Sequence, residues 1–210
     1  MAIIDDLISY WKLDESAGNA IDAHSTHDGT VTGCAYSQAG KINTAYGFDG
    51  NDYVTIPASS DFEFDQTESF SISAWINTSY TPRNFVIGHR LGTIIIYVRV
   101  FETTGLVNFY VRDADGNNVT VWSTDSVHDG AWHHIVAVFD NATDTAYVYV
   151  DGSDDSAAYT PTNKMSDGGT NFYIGVDESL ADGMRGTIDE VGIWNRALDS
   201  TEVTALYNRP

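Results

Sequence analysis

Residues 186–207, GTIDEVGIWNRALDSTEVTALY, are the most informative stretch of this chain. Its apolar first part, Thr187–Trp194, predicts a closing β-strand. Asp199 and Glu202 then have the spacing of a capping box, which predicts a short helix. Asp189 is the exception, because a carboxylate inside an apolar strand is costly unless it is paired or bound to a cation. The stretch therefore predicts a last strand and a last helix, and it raises the question of a metal ion.

Similar apolar stretches recur along the 210 residues, separated by turn signals that include seven Asp-Gly pairs. The clearest predicted strands are Tyr10–Leu13, Tyr46–Asp49, Tyr53–Ile56, Phe70–Ile76, Phe85–His89, Ile94–Phe101, Leu106–Arg112, Val119–Ser123, His133–Phe139, Ala146–Val150, Phe172–Val176 and Thr187–Trp194. Strands at this spacing predict an all-β, two-sheet antiparallel jelly-roll sandwich with one short C-terminal helix. Since no linker or repeat interrupts the pattern, we expect a single domain over residues 1–210.

Composition and charge exclude several classes of function. The formal net charge is −20, so the surface repels phosphate backbones and anionic lipid, and nucleic acid and membranes are not expected partners. The single cysteine, Cys34, excludes an internal disulfide. Residues 1–11, MAIIDDLISYW, lack the features of a signal peptide, and no apolar run is long enough to span a membrane. We expect either a cytoplasmic protein or one that reaches an extracellular or virion surface by lysis or non-classical export.

Several phrases occur in an order that carries a family signature. They include YWKLDE at 10–15, YGFDG at 46–50, FSISAWI at 70–76, WHHIVAV at 132–138 and the closing stretch 186–207. Together they resemble the laminin-G-like jelly-roll modules of the concanavalin A-like lectin/glucanase superfamily. The resemblance implies the same sandwich fold and favours a recognition or adhesion role. The sequence departs from the family at Ala23–His27, where members usually carry a run of Ser, Gly and Asn.

The resemblance also implies a structural calcium ion, which would tie the N-terminal loop, the Phe-Asp-Gly turn and the last strand together. Carried over, its ligands are the carboxylates of Asp22 and Asp189, a carbonyl near His27, and a carbonyl at Gly50 or Asn51. Calcium binds six to eight hard oxygen atoms of this kind. The alternative is that Asp189 accepts hydrogen bonds from loop amides.

Candidate ligand-binding residues lie in the middle third of the chain, where most of the arginines occur. Sugar sites combine aromatic rings with planar polar groups, and this region supplies both kinds. The candidates are Tyr80, Arg83, Arg90, Tyr97, Arg99, Tyr110, Arg112 and Trp122. In a protein this acidic, internal salt bridges are an equally good interpretation of the arginines.

Three functions are consistent with these features. The first is a non-catalytic recognition module that binds glycans or cell-surface proteins. The second is a structural component of a bacteriophage particle, such as a head-decoration or fibre protein, with or without homo-oligomer formation. The third is a glycoside hydrolase based on Glu63, Asp65 and Glu68. The third is disfavoured, because Glu63 and Glu68 would point to opposite faces of a regular strand, whereas retaining hydrolysis needs two carboxylates about 5–5.5 Å apart.

Overall fold

A computed structural model describes residues 2–64, 68–91, 94–112, 116, 118–143, 145–156, 171–177 and 182–209. The strands are β1 (Leu7–Trp11), β2 (Thr30–Thr32), β3 (Ala35–Ala39), β4 (Thr44–Asp49), β5 (Tyr53–Ile56), β6 (Phe70–Asn77), β7 (Asn84–Leu91), β8 (Ile94–Val100), β9 (Leu106–Arg112), β10 (Asn118–Ser126), β11 (Trp132–Asp140), β12 (Thr145–Val150), β13 (Ser153–Asp154), β14 (Phe172–Ile174) and β15 (Arg185–Trp194). The helix is α1 (Ser200–Tyr207).

The strands form two antiparallel sheets. The first sheet has the order β13-β12-β11-β6-β15-β4-β3, and β1 pairs with the end of β15 that β4 leaves free. The second sheet has the order β10-β9-β8-β7-β14-β5-β2. Neighbouring strands are often distant in sequence, as where β15 pairs with β6. The arrangement is the predicted two-sheet sandwich with one short C-terminal helix.

The core lies between the two sheets, and the alternation within each strand decides which residues enter it. Phe70 of β6 illustrates how the sheets meet. Its ring contacts Phe139 of the first sheet at a centroid distance of 5.8 Å and Phe109 of the second sheet at 5.9 Å. Phe64, which precedes β6, stacks on Phe70 at 4.4 Å. All four side chains are almost fully buried.

A second apolar cluster covers the outer face of the first sheet. Val136 of β11 and Trp194 of β15 pack there with Val203 and Leu206 of α1. The capping box predicted from sequence is present, since the Asp199 carboxylate accepts from the Glu202 amide and the Glu202 carboxylate accepts from the Asp199 amide. The helix therefore packs against the outer face of the first sheet and covers its apolar side chains.

All twelve predicted strands are present: Tyr53–Ile56 and Leu106–Arg112 have the predicted bounds, and the others have shifted ends. The first begins three residues earlier than predicted, at Leu7, and ends at Trp11 rather than Leu13. The strand predicted over Phe172–Val176 ends at Ile174, because Gly175 has a left-handed backbone (φ 90°). Three further strands were missed, namely β2, β3 and β13, which are short and mostly exposed.

Candidate functional site

The outer face of the second sheet carries a cluster of aromatic rings around one arginine. Residues on β8 alternate, so that Val98 and Val100 enter the core while Tyr97 and Arg99 point outward. Tyr97 lies opposite Tyr110 of β9, and their rings stack with centroids 4.9 Å apart and planes 15° apart. We call Phe85, Tyr97, Arg99, Phe101, Tyr110 and Trp122 the aromatic face.

Arg99 is the central polar group of the aromatic face. Its guanidinium carbon lies 4.5 Å from the centroid of the Tyr97 ring and 5.2 Å from that of Phe101. Its Nε donates to Oδ1 of the buried Asn108 at 3.0 Å, which fixes the plane of the guanidinium. Its terminal nitrogens have no hydrogen-bond partner within the part of the chain that the structure describes. A stacked guanidinium with free donors is suited to hydroxyl or carboxylate ligands.

Partial burial changes the pKa values of Arg99 and Tyr97. Burial lowers the pKa of the Arg99 guanidinium, and the nearby Tyr97 opposes this change. Burial also raises the pKa of the Tyr97 phenol, and the charge of Arg99 opposes that rise. Near neutral pH the pair is therefore a cation beside a neutral phenol. In the described structure the hydroxyls of Tyr97 and Tyr110 have no hydrogen-bond partner, so both can bind a ligand.

Strand pairing adds Tyr173 of β14 to the same row of outward residues, which the sequence did not predict. Tyr173 of β14 pairs with Gly88 of β7, and Gly88 pairs with Tyr97. A Cβ on Gly88 would lie 2.7 Å from the Ile96 carbonyl oxygen and 2.8 Å from Cβ of Tyr97, so no side chain fits there. The outward row therefore carries no side chain between Tyr173 and Tyr97, which are two strands or about 10 Å apart. Only the strand pairing reveals that these two tyrosines share a row.

The remaining predicted ligand residues lie beside the aromatic face or apart from it. Arg83 forms salt bridges with Glu102 (2.9 Å) and Asp182 (3.2 Å), so for this arginine the structure has the internal salt bridges that were the alternative to ligand binding. Tyr80 lies against the Arg185 guanidinium at 4.8 Å, in a neighbouring cleft of about 180 Å³.

Two more predicted residues lie near the ends of strands. Arg112 is at the end of β9, close to the turn at Gly116. The side chain of Arg90 lies outside the described residues.

The N-terminal loop is organised by Asp22, one of the predicted metal ligands. One of its carboxylate oxygens accepts from the amides of Tyr10, His24 and Ser25 at 3.0–3.1 Å, and the other accepts from the His27 amide at 3.2 Å. The carbonyl of His27, a second predicted ligand, accepts from the indole nitrogen of Trp11 at 2.8 Å. Hydrogen bonds from backbone amides and one indole therefore occupy most of the lone pairs on the Asp22 carboxylate and the His27 carbonyl, which are the oxygen atoms of this loop predicted to bind calcium.

Asp189 is fully buried on β15 and is bound by a different loop. Its Oδ2 accepts from the amides of Lys41 (2.8 Å) and Ile42 (3.0 Å), whereas its Oδ1 has no partner among the described residues. Burial raises the pKa of Asp189 to about 7, the two amides oppose the rise, and the charge of Asp14 adds to it. Asp189 thus accepts hydrogen bonds from loop amides, which is the alternative to a calcium ion that the sequence analysis gives.

The structure does not bring the predicted metal ligands to one point. Gly50 and Asn51 follow β4, whose Asp49 pairs with Arg185. Arg185 is four residues from Asp189 along the same strand, or about 14 Å. One ion with oxygen ligands at about 2.4 Å cannot contact both ends of that distance. Calcium binding stays a prediction, and any ion must lie either near the N-terminal loop, near the Gly50 turn or near Asp189.

A family model for the concanavalin A-like lectin/glucanases superfamily, of the laminin G type, matches residues 48–204. The chain belongs to this superfamily. The match includes the aromatic face, the closing strand and the first part of the closing helix, and the concanavalin A-like fold predicted from sequence is confirmed. No curated protein matches the chain in sequence.

Solved structures share this concanavalin A-like fold at low sequence identity. Domain 4 of AbnA, an extracellular GH43 arabinanase from Geobacillus stearothermophilus solved with arabinotriose, is 19% identical with a TM-score of 0.75, and the match covers 97% of this chain and 98% of that one. The binding domain of botulinum neurotoxin serotype G is 16% identical with a TM-score of 0.71, covering 96% and 50%. A Trypanosoma rangeli sialidase is 16% identical with a TM-score of 0.69, covering 97% and 32%. The chain thus spans about half of the toxin domain and a third of the sialidase.

Glu63 and Glu68 of the hydrolase hypothesis precede β6 of the first sheet and are not part of the aromatic face. Glu63 is exposed and follows a single 3-10 turn at Ser60–Phe62, and Glu68 is half-buried just before β6. Asp65 lies outside the described residues. Among the described residues, no helix has the length and apolar character required to cross a membrane.

Proposed function

We propose that this domain is a non-catalytic carbohydrate-recognition module and that its glycan binds across the aromatic face. The observation that carries the proposal is the stacked Tyr97–Tyr110 pair with the Arg99 guanidinium on Tyr97. This pair occurs on the outer face of the second sheet, which α1 does not cover. Rings beside oriented polar groups are what sugar recognition requires.

Each member of the pair has a distinct part in the proposed binding. Tyr97 already contacts Tyr110 and Arg99, so its ring is fixed and it offers its hydroxyl to the ligand. Tyr110 offers its hydroxyl and the ring surface turned away from Tyr97, on which the C–H groups of a sugar can stack. Arg99 offers the terminal donors that Asn108 leaves free. A glycan with hydroxyls at its ends and an apolar sugar face matches these groups.

The structural relatives support a binding role over catalysis. Domain 4 of the arabinanase was solved with an arabinose trisaccharide, and the toxin relative is a binding domain. We propose by analogy that this chain also binds carbohydrate on a cell surface or in the extracellular space. Display on a bacteriophage particle and homo-oligomer formation stay predictions, and gene neighbourhood and sedimentation respectively test them.

A glycan array followed by calorimetry tests the proposal. The array identifies a ligand for the wild-type domain, and calorimetry then compares Tyr110→Ala and Arg99→Ala with the wild type. The control is Tyr147→Ala, which removes a half-buried tyrosine from β12 on the opposite sheet. We expect both face variants to weaken binding by about tenfold or more, or about 1.4 kcal/mol, and the control to bind normally. A blank array, or equal affinities in all four proteins, would refute it.

A further inference from the structure

A cavity lies on the outer face of the first sheet, on the side of the molecule opposite to the aromatic face. Its volume is about 170 Å³, and it is enclosed by β6, β11 and β15 below and by the N-terminal segment and the end of α1 above. An engineered protein cavity of about 150 Å³ holds a benzene molecule. This cavity therefore has room for one small organic molecule.

The walls of the cavity are apolar and aromatic. Trp75 and Trp194 form two sides, while Ile3 and Leu206 contribute from the two ends of the chain. Ser73 is the small residue between the tryptophans, and it pairs with Gly192 of β15. A Cβ on Gly192 would lie 2.6 Å from the Trp194 ring, so glycine is what lets this indole lie over the strand. The shape of the cavity thus depends on small residues between large ones.

Glu190 places a carboxylate in the wall of this cavity. It is only 9% exposed, and its backbone is left-handed (φ 54°) at the bulge that interrupts pairing between Asp189 and Gly192. Such a backbone is unfavourable for a residue with a side chain, so the fold has to maintain it. In the described structure the carboxylate has no hydrogen bond and no ion pair. An unpaired carboxylate in an apolar wall is costly, and a bound cation would remove that cost.

His134 supplies a second unpartnered group in the same cavity. It is 2% exposed, its Nε2 shares a hydrogen bond with the Ser73 hydroxyl at 2.9 Å, and its Nδ1 has no partner in the described structure. Asp189 of β15 pairs with Trp75 of β6, and Trp75 pairs with His134 of β11. The backbones of Glu190 and His134 are therefore separated by two strand spacings, or about 10 Å. One small molecule can contact both.

We propose that this cavity binds a small primary ammonium ion with a compact apolar or aromatic body. The ammonium group donates to the Glu190 carboxylate, and the body packs between Trp75 and Trp194 and extends to His134. An anion is disfavoured because Glu190 would repel it. Arg209 lies at the rim of the cavity, and its charge partly opposes the rise in the pKa of Glu190 that burial causes. The Nζ of Lys41 lies 4.1 Å from the Trp75 ring centroid. Among the described residues, neither cation forms a salt bridge with the Glu190 carboxylate. This site is separate from the aromatic face.

The test is a titration of the wild-type domain with benzylammonium chloride, followed by NMR of the tryptophan indole N–H groups. Trp75 and Trp194 should shift, while Trp11, Trp122 and Trp132 lie outside the cavity and serve as internal controls. Benzyl alcohol has the same ring without the charge, and benzoate has the opposite charge. We expect benzylammonium to bind at least about tenfold more tightly than either.

Two variants test the role of the carboxylate. Glu190→Gln should reduce benzylammonium binding to the level of benzyl alcohol. Glu190→Gly should do the same with no loss of folding stability, since glycine accepts the left-handed backbone. Glu102→Gln, in the turn that follows β8 of the second sheet, is the matched control and should bind normally. The proposal is overturned if the Trp75 and Trp194 signals do not move in the wild type, if the three probes bind equally, or if both Glu190 variants retain full affinity.

Discussion

Replacement of Asp189 tests whether the buried carboxylate of the last strand acts as an acceptor for loop amides. In Asp189→Ala the amides of Lys41 and Ile42 lose their acceptor. An unsatisfied buried amide costs about 1–3 kcal/mol, and these two are only part-buried because Lys41 is exposed and Ile42 half-buried. We therefore expect a loss of about 2 kcal/mol in the free energy of unfolding. Asp189→Asn keeps an acceptor oxygen and carries no charge. We therefore expect it to stay within about 1 kcal/mol of the wild type at about pH 5.

The pH dependence of the same proteins separates charge from hydrogen bonding. Burial raises the pKa of Asp189 to about 7, above its unfolded value. Between these values the folded state holds the proton that the unfolded state has released, so stability falls as pH rises from about 4 to 7. From about pH 5 to pH 7 Asp189 alone should cost the wild type about 2–3 kcal/mol, and Asp189→Asn should escape this cost. Burial raises the pKa of Glu190 to about 7 as well, but that contribution is common to all three proteins and cancels.

Urea unfolding followed by tryptophan fluorescence, at both pH values and with calcium or EDTA, measures these differences. The reasoning is refuted if Asp189→Asn is as unstable as Asp189→Ala. It is also refuted if Asp189→Asn keeps the wild-type dependence on pH. If EDTA destabilises the wild type and leaves Asp189→Asn unchanged, Asp189 binds a cation rather than acting only through amides.

Three other predictions concern single features of the fold. Calcium, predicted from the family resemblance, should raise the thermal midpoint of the wild type and EDTA should lower it; an unchanged midpoint counts against a bound ion. For His133, burial lowers the pKa, but hydrogen bonds to Asp151 and Asp129 outweigh it and raise the pKa above its usual value. The stability from this pairing is complete below about pH 6.5 and is lost as pH rises through the folded pKa, so His133→Gln should flatten that decline in urea unfolding. Asp199→Ala should lower the free energy of unfolding by about 1 kcal/mol, because it removes the capping box with Glu202; an unchanged value contradicts that role.

The sequence predicted those parts of the fold that depend on local patterns. The capping box at Asp199 and Glu202 needs only a spacing of three residues, and it is present as predicted. Long strands with an apolar face were found for the same reason. β2 and β3 were missed because edge strands with mostly exposed side chains have no apolar alternation to detect.

The site was predictable only in part, because strand register is not visible in a single sequence. Tyr97, Arg99 and Tyr110 were selected for their chemistry, and the pairing of β8 with β9 brings them together. Tyr173 joins the same row through Gly88, across more than eighty residues of sequence, and no local signal connects them. The bulge at Glu190 was hidden as well, since its sequence reads as a regular strand.

One calorimetric comparison tests whether the domain binds a glycan through the aromatic face. A glycan selected on the array is titrated into the wild type, Tyr110→Ala and Tyr147→Ala. We expect Tyr110→Ala to lose about tenfold or more in affinity, while Tyr147→Ala, on the opposite sheet, binds as the wild type does. Equal affinity of Tyr110→Ala and the wild type would contradict it.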